Sequence, residues 1–341
     1  MKRIFVSLYT LLAFLVLFNA CSTDVDLYAD YKDITVVYGL LDSGADTNYV
    51  KINKAFLGPG NALQFAQISD SCNYSEKLNA KIIEYRASAG GNHFQQTATF
   101  QLDTLTVHDK EPGIFYAPDQ LVYYTTNTIQ KNTNQYKYRY ELQIDHGDSI
   151  ISASTNIVGG GSFSSPQASL NFSSTASNGI ISWYPCPNAA IYEVVFKFHF
   201  TEVSSSLDSV GRVMTWALGA YPESQLSDDN GNYSINFNPS LFYYKLATML
   251  GSDTLDPNVE RLIYEPSLEV NIAAGGDELY NFITVNGPSN SVVQTLPEYT
   301  NVNGGYGVLS SRTMYTKWMK LASSTIPELM SHENWHFKQI K

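Results

Sequence analysis

The chain has 341 residues, with 21 Lys and Arg against 32 Asp and Glu, for a formal net charge of −11. This acidic balance argues against nucleic acid as a partner and against electrostatic adhesion to anionic lipid, both of which want clustered basic side chains. Its 24 tyrosines and 17 phenylalanines, set among many Val, Ile and Thr residues, favour strands, and its length allows two domains of ordinary size.

The chain opens with Lys2 and Arg3, then an apolar run over 4–18, then Asn19-Ala20-Cys21. Such a run is shorter than the ~20 residues a membrane span needs, and the order reads as a signal peptide over 1–20. Phe18, three positions before the cut, is too large for an ordinary secretory site. The segment Leu17-Phe18-Asn19-Ala20-Cys21 resembles the lipobox of bacterial lipoproteins. That resemblance implies acylation of Cys21 and anchoring in outer-membrane lipid, each buried CH₂ contributing ~0.8 kcal/mol. The following Ser22-Thr23-Asp24-Val25-Asp26 is similar to the surface-export signal of Bacteroidota lipoproteins, and reads equally well as a solvated part of a lipid-anchored tether over 21–33. Removal of Lys2 and Arg3 leaves 19 basic side chains against 32 acidic ones, a net of −13.

Strand signals then follow in pairs. Residues 34–41 and 48–55 flank a polar turn, and 78–86 pairs with 94–102. In 136–143, Tyr136, Tyr138, Tyr140 and Leu142 alternate with Lys137, Arg139, Glu141 and Gln143, which predicts one buried and one wet face. His146-Gly147-Asp148 turns this strand into a partner over 149–158. About seven strands at this spacing predict an N-terminal β-sandwich domain over 34–158. Residues 159–167, rich in Gly, Ser and Pro, read as a linker to a second domain over 168–341. There Trp183, a Pro-rich turn and Tyr192 resemble neighbouring strands of a fibronectin type III domain, with the two rings bridging two sheets. Two short helices interrupt it. Asn238 and Pro239 open the first, with Phe242, Leu246, Met249 and Leu250 as its apolar stripe and Gly251 as its stop; the second covers 277–285, with Leu279, Phe282 and Ile283 on one face. The fold class expected is mainly β, with two Ig-like or fibronectin type III-like sandwiches and two helical insertions in the second.

Glu278-Leu279-Tyr280-Asn281-Phe282 leads into Tyr299-Thr300-Asn301-Val302-Asn303-Gly304-Gly305-Tyr306-Gly307-Val308-Leu309-Ser310-Ser311-Arg312. This stretch resembles the C-terminal signature of a large family of Bacteroidota outer-membrane lipoproteins of unassigned function. It departs from that pattern at Gly305 and at Leu309, where an aromatic is common. Family members are commonly encoded near TonB-dependent transporters. The resemblance therefore implies a surface-exposed accessory or ligand-presenting lipoprotein, with no catalytic residues to carry over. From the residues alone, Gly304, Gly305 and Gly307 mark backbone that needs positive φ or a close approach. They lack the strand-loop-helix context and the Lys of a phosphate loop.

Three motifs look chemical. His332-Glu333-Asn334-Trp335-His336 spells H-E-x-x-H, which on an α-helix places two imidazoles on one face for zinc and a glutamate as general base. Here it follows Pro327 in a polar terminal turn, so a zinc-dependent hydrolase is the remote alternative. Asp228-Asp229-Asn230-Gly231-Asn232 looks like a calcium loop, but with Gly231 at the sixth place, Leu226 and Phe237 fall where carboxylates are required. A hairpin turn between 225 and 235 accounts for it. Cys72 and Cys186 lie in different predicted domains, and two buried free thiols are preferred over a disulfide. The expectation is thus no catalytic residue, no metal and no cofactor. The tyrosine excess leaves a second function in view, a glycan-binding or adhesive surface module. Tyr123, Tyr124, Tyr243, Tyr244, Tyr299 and Tyr306 are its candidate stacking platforms.

Overall fold

The computed structural model describes residues 32–57, 61–204, 206, 208–251, 258–287 and 298–340. Cys21 and the rest of 1–31 lie outside the described residues. The fold is mainly β, with mixed sheets. The first half holds β1 (Lys32–Asp42), β2 (Asn48–Leu57), β3 (Asn79–Ser88), β4 (Gln95–Gln101), β5 (Asp103–Val107), β6 (Gln120–Thr125), β7 (Tyr136–His146) and β8 (Ser149–Asn156). Then come β9 (Ser162–Ser165), β10 (Ser169–Leu170), β11 (Gly179–Tyr184), β12 (Ile191–Val203), β13 (Ser209–Pro222), β14 (Ser227–Asp229) and β15 (Asn232–Phe237). The last are β16 (Glu260–Tyr264), β17 (Leu268–Gly275), β18 (Val302–Asn303), β19 (Tyr306–Leu321) and β20 (Phe337–Ile340).

One large sheet runs in the order β20-β16-β12-β17-β19-β1-β2-β6-β5, with β13 on the free side of β12 and β10 on β19. A five-stranded sheet, β18-β8-β7-β3-β4, packs on its β1–β2–β6 part, and a four-stranded sheet, β14-β15-β11-β9, packs on its β12–β17 part. Two apolar cores result. In the first, Val37, Leu41, Val50 and Ile52 meet Ile82, Tyr140, Leu142 and Ile144. The β7 alternation holds from Tyr140 onward, where Tyr140, Leu142 and Ile144 are buried while Arg139, Glu141 and Gln143 are half-exposed. Tyr138 is only half-buried and Tyr136, at the strand's start, is exposed, so the buried face is shorter than its sequence predicts. Gly147, at φ 59°, supplies the left-handed residue of the turn into β8.

In the second core, Tyr192, Phe196 and Phe198 of β12 meet Trp183, Ile235 and Phe237. Trp183 and Tyr192 come from opposite layers and their rings lie 5.5 Å apart. Phe172 stacks on Phe242 at 4.5 Å and meets Phe196 and Phe237 at 6.1 and 5.9 Å. Such pairs contribute about 0.5–1.5 kcal/mol each beyond their buried area.

The helices differ from their predicted apolar stripes. Leu241–Leu250 buries Phe242 and Leu246, but Met249 is exposed. Ser240, not Asn238, is the N-cap residue: Asn238, two residues earlier, accepts on its Oδ1 from the Ser240 N–H and hydroxyl, and Gly251 ends the helix at φ 78°. Asp277–Asn286 buries no residue fully and lies on the outer face of the large sheet, with Phe282 edge-on to Tyr38 at 5.9 Å.

Two features cut across the expected division at 159–167. That segment contains β9, which pairs with β11, and its Phe163 packs on the second core. More far-reaching, β19 belongs to both halves. Tyr306 to Arg312 pairs in parallel with Val36 to Asp42, and Arg312 to Met319 pairs antiparallel with Gly275 to Leu268. Val302 and Leu309 fill the first core although they lie far along the chain. The first layered unit is therefore completed by residues of the C-terminal signature.

Candidate functional site

The signature residues form a junction between the two cores. Gly307 has φ 106°, and a Cβ there would sit 2.0 Å from the Val37 carbonyl oxygen. A Cβ at Gly305 would sit 2.6 Å from the Thr35 carbonyl oxygen, and Gly304 has φ 80°. The glycines thus serve positive φ and close approach, as their sequence predicts. Asn301 brackets Leu309: its amide donates to the Leu309 carbonyl at 2.7 Å and its Oδ1 accepts the Leu309 N–H at 3.0 Å. Ser311 donates to the Asn156 carbonyl at 2.7 Å and accepts the Val158 N–H at 2.9 Å. The Glu278 carboxylate accepts from Thr155 at 3.0 Å and from Ser310 at 3.1 Å. Burial raises the Glu278 carboxyl above its ordinary range, against the lowering effect of these hydrogen bonds. These side chains hold backbone and one another, and the arrangement is architectural.

A second constellation faces outward from the large sheet. Alternation along β12, β17 and β19 points apolar side chains into the core and sets Lys197, His199, Glu269, Asn271, Thr316 and Trp318 on the opposite face. In register, Trp318 lies opposite Glu269, which lies opposite Lys197. Glu269 accepts from Lys197 at 3.1 Å, from Asn271 at 2.8 Å, and is 2.8 Å from the His199 ring. Thr316 donates to Asn271 Oδ1. Burial pushes the Glu269 carboxyl up, but hydrogen bonds from Asn271, Lys197 and His199 bring it below its ordinary value. The Trp318 ring lies 4.8 Å from His199 and stays 48% exposed. Beside it, His199, Thr201, Arg212, Val213 and Tyr264 line a shallow depression of about 340 Å³. An exposed indole beside fixed donors and acceptors offers a stacking face and hydrogen bonds to a polar, ring-shaped ligand. Sequence reading missed this cluster, because its members come from three separated strands. Their only signal is polar alternation in strands whose other face is Phe, Val and Ile.

The tyrosines singled out in sequence do not converge. Tyr123 is buried, its hydroxyl accepting the Leu78 N–H at 2.9 Å, so it offers no stacking face. Alternation turns Tyr124 outward instead, 6.3 Å from Tyr49. Tyr243 is half-buried against Trp335 and His332, whereas Tyr244 is exposed. Tyr299 is half-buried and Tyr306 stands exposed at the start of β19.

The H-E-x-x-H residues are not on an α-helix. Glu333–Trp335 is a 3₁₀ turn, His336 is left-handed at φ 51°, and the His332 ring stacks on Trp335 at 4.0 Å. The helical i, i+4 face that would aim two imidazoles at one ion is not formed. Among the described residues, no group of three or more His, Cys, Asp and Glu is placed to hold a metal. Asn230 and Gly231, at φ 55° and 80°, make the hairpin turn between β14 and β15, as expected. Cys72 and Cys186 are free and buried. Burial pushes the Cys186 thiol up to about 11, against a lowering contribution from Tyr192 and Tyr315.

No protein-family model matches the chain. No curated protein matches it. Among solved structures, it is similar to a tetra-tandem repeat in the extending region of a large adhesion protein, at 12% identity and a TM-score of 0.18. The likeness covers 84% of this chain and 50% of that one, and at this TM-score it carries no argument.

Proposed function

We propose that this chain is a lipid-anchored, surface-exposed outer-membrane lipoprotein. In this reading it works without catalysis, as an accessory or ligand-presenting component of a TonB-dependent uptake system. The observation that carries the reading is Cys21, placed directly after a basic start and a short apolar run. The signature at 299–312 supports it through its resemblance to Bacteroidota outer-membrane lipoproteins. The layered cores support two β-sandwich units of Ig-like or fibronectin type III-like kind, with Trp183 and Tyr192 meeting across the second. Cys21→Ser should move the protein from the membrane fraction to the soluble fraction of the envelope with its fold intact. Retention in the membrane defeats the anchor. Co-purification of the native protein in mild detergent should bring a transporter with it, and repeated recovery of the chain alone removes that partner.

The Trp318 cluster favours a second reading, in which the outward face binds glycans. Its exposed indole and the polar net around Glu269 are the observation behind it. Binding of soluble oligosaccharides that is lost in Trp318→Ala supports this reading, and binding unchanged by that substitution removes it.

A further inference from the structure

We propose that two interlocked loops, 61–73 and 109–118, seat the anchored protein directly on the lipid bilayer. The inference rests on the acylated Cys21 of the preceding section.

These loops form a single unit. The Tyr116 N–H donates to the Ala66 carbonyl at 2.7 Å, and the Gln67 side-chain amide donates to the carbonyls of Gly113 and Ile114 at 3.0 and 2.6 Å. Cys72 Sγ donates to the same Ala66 carbonyl at 3.3 Å, and Asn53 of β2 holds the Cys72 carbonyl at 3.1 Å. On this fixed base four large apolar side chains face solvent: Leu63 at 64% exposure, Ile68 at 49%, Ile114 at 62% and Phe115 at 61%. Leu63 lies in a short helix over Ala62–Phe65 and Ile68 at the N-cap of another over Ser69–Cys72. Apolar residues gathered on one pair of connecting segments, rather than scattered on strands, mark a surface with a partner.

Topology says which partner. Lys32 is the register partner of Leu57, so the chain enters β1 at the end of the sheet where β2 leaves for loop 61–73. β6 runs antiparallel to β2 with Val50 opposite Tyr123, which places Gln120, and loop 109–118 before it, toward that same end. From Cys21 to Lys32 there are eleven peptide steps, a reach of at most roughly 40 Å. The acyl anchor therefore attaches at the end of the molecule that carries the apolar loops, and its tether is short enough to lay them on the membrane. The loops carry Lys110 together with Asp70, Asp109 and Glu111, so charge does not select the contact. It is apolar insertion at the interface, supplementing the covalent anchor.

The test uses the full acylated protein reconstituted in vesicles of phosphatidylethanolamine and phosphatidylglycerol. A nitrobenzoxadiazole probe is placed on Phe115→Cys and, as control, on Val210→Cys at the β12–β13 tip, with the buried Cys72 and Cys186 left in place. We expect emission at 115 to rise about twofold or more and to be quenched by spin-labelled acyl chains, with neither change at 210 and no effect of added salt. Equal behaviour at the two sites in protein that floats with the vesicles overturns the seat while leaving the anchor standing. Brightening at 115 without quenching by labelled lipid assigns the loops to a protein contact and also overturns it. Protein that does not float defeats the anchor itself. Leu63→Cys, on the other loop, should report the same insertion if the Phe115 variant fails to fold.

Discussion

Gly307 lies flat against the backbone of Val37, at φ 106°, with room for nothing larger than hydrogen at its α-carbon. The contact is part of the parallel ladder that ties β19 to β1. Gly307→Ala meets both a conformation that L-residues avoid and a carbonyl oxygen 2.0 Å away. We expect a loss on the order of 3 kcal/mol or more in chemical unfolding. A loss below about 0.5 kcal/mol would mean the ladder does not form as described.

Glu278 is the pH-sensitive member of the same junction. Its carboxyl is raised from an ordinary 4.5 by burial. Between that value and its higher folded value the native state keeps a proton the unfolded chain has released, so stability falls as pH rises through the window. Glu278→Gln keeps an oxygen acceptor for Thr155 and Ser310 and removes the charge, so this decline should flatten. Glu278→Ala leaves both hydroxyls without that acceptor and should cost about 1–3 kcal/mol at pH 4, a cost that shrinks as pH rises because the variant is spared the ionisation of a buried carboxyl. Melting curves from pH 4 to pH 8 read both variants.

On the outward face the sign is reversed. The Glu269 carboxyl is held below its ordinary 4.5 by Asn271, Lys197 and His199, against the effect of burial. Its stabilisation is present above 4.5 and lost as pH falls through the folded value. Glu269→Gln should therefore weaken the protein near neutrality and leave it unchanged in acid. The effect should stay near 1 kcal/mol, because Lys197 and His199 are open to water. Urea midpoints at pH 7 and at successive steps below pH 4.5 decide it, the gap between wild type and variant narrowing as pH falls.

The two described cysteines should be silent in the folded protein. Cys186 is buried with its thiol pushed up to about 11, and Cys72 is buried against the Ala66 carbonyl. Iodoacetamide at pH 8 should modify neither in buffer and both in denaturant, with or without prior reduction. A requirement for reductant would reveal a disulfide.

What could be read from sequence was local. Tyr140 and Leu142 announced a half-buried strand because the pattern and its packing share one short segment, whereas Tyr136, on the same predicted face, lies beyond the packed part of the strand and stays exposed. Gly304, Gly305 and Gly307 announced backbone constraint because glycine itself reports it. The sharing of β19 was hidden. Tyr306 and Val36 are register partners 270 residues apart, and nothing local to either names the other. The same holds for Trp318, Glu269 and Lys197, which become neighbours only once three strands align. His332 and His336 show the converse: the motif spacing was present, but the 3₁₀ turn and the left-handed His336 remove the helix that gives the spacing meaning.

The shared strand also has a mechanical consequence. In the proposed lipid-anchored arrangement β1 begins at the tethered end, and β19 runs parallel to it before passing into the second core. In that arrangement a pull between the membrane and a partner held by the second core would draw β1 backward and β19 forward. The seven register pairs from Val36–Tyr306 to Asp42–Arg312 are then loaded in shear, all together, rather than peeled open one after another. An anchored protein drawn on by its partner would bear that load along its strongest direction, with the Arg312–Asp42 ion pair at the leading edge of the ladder.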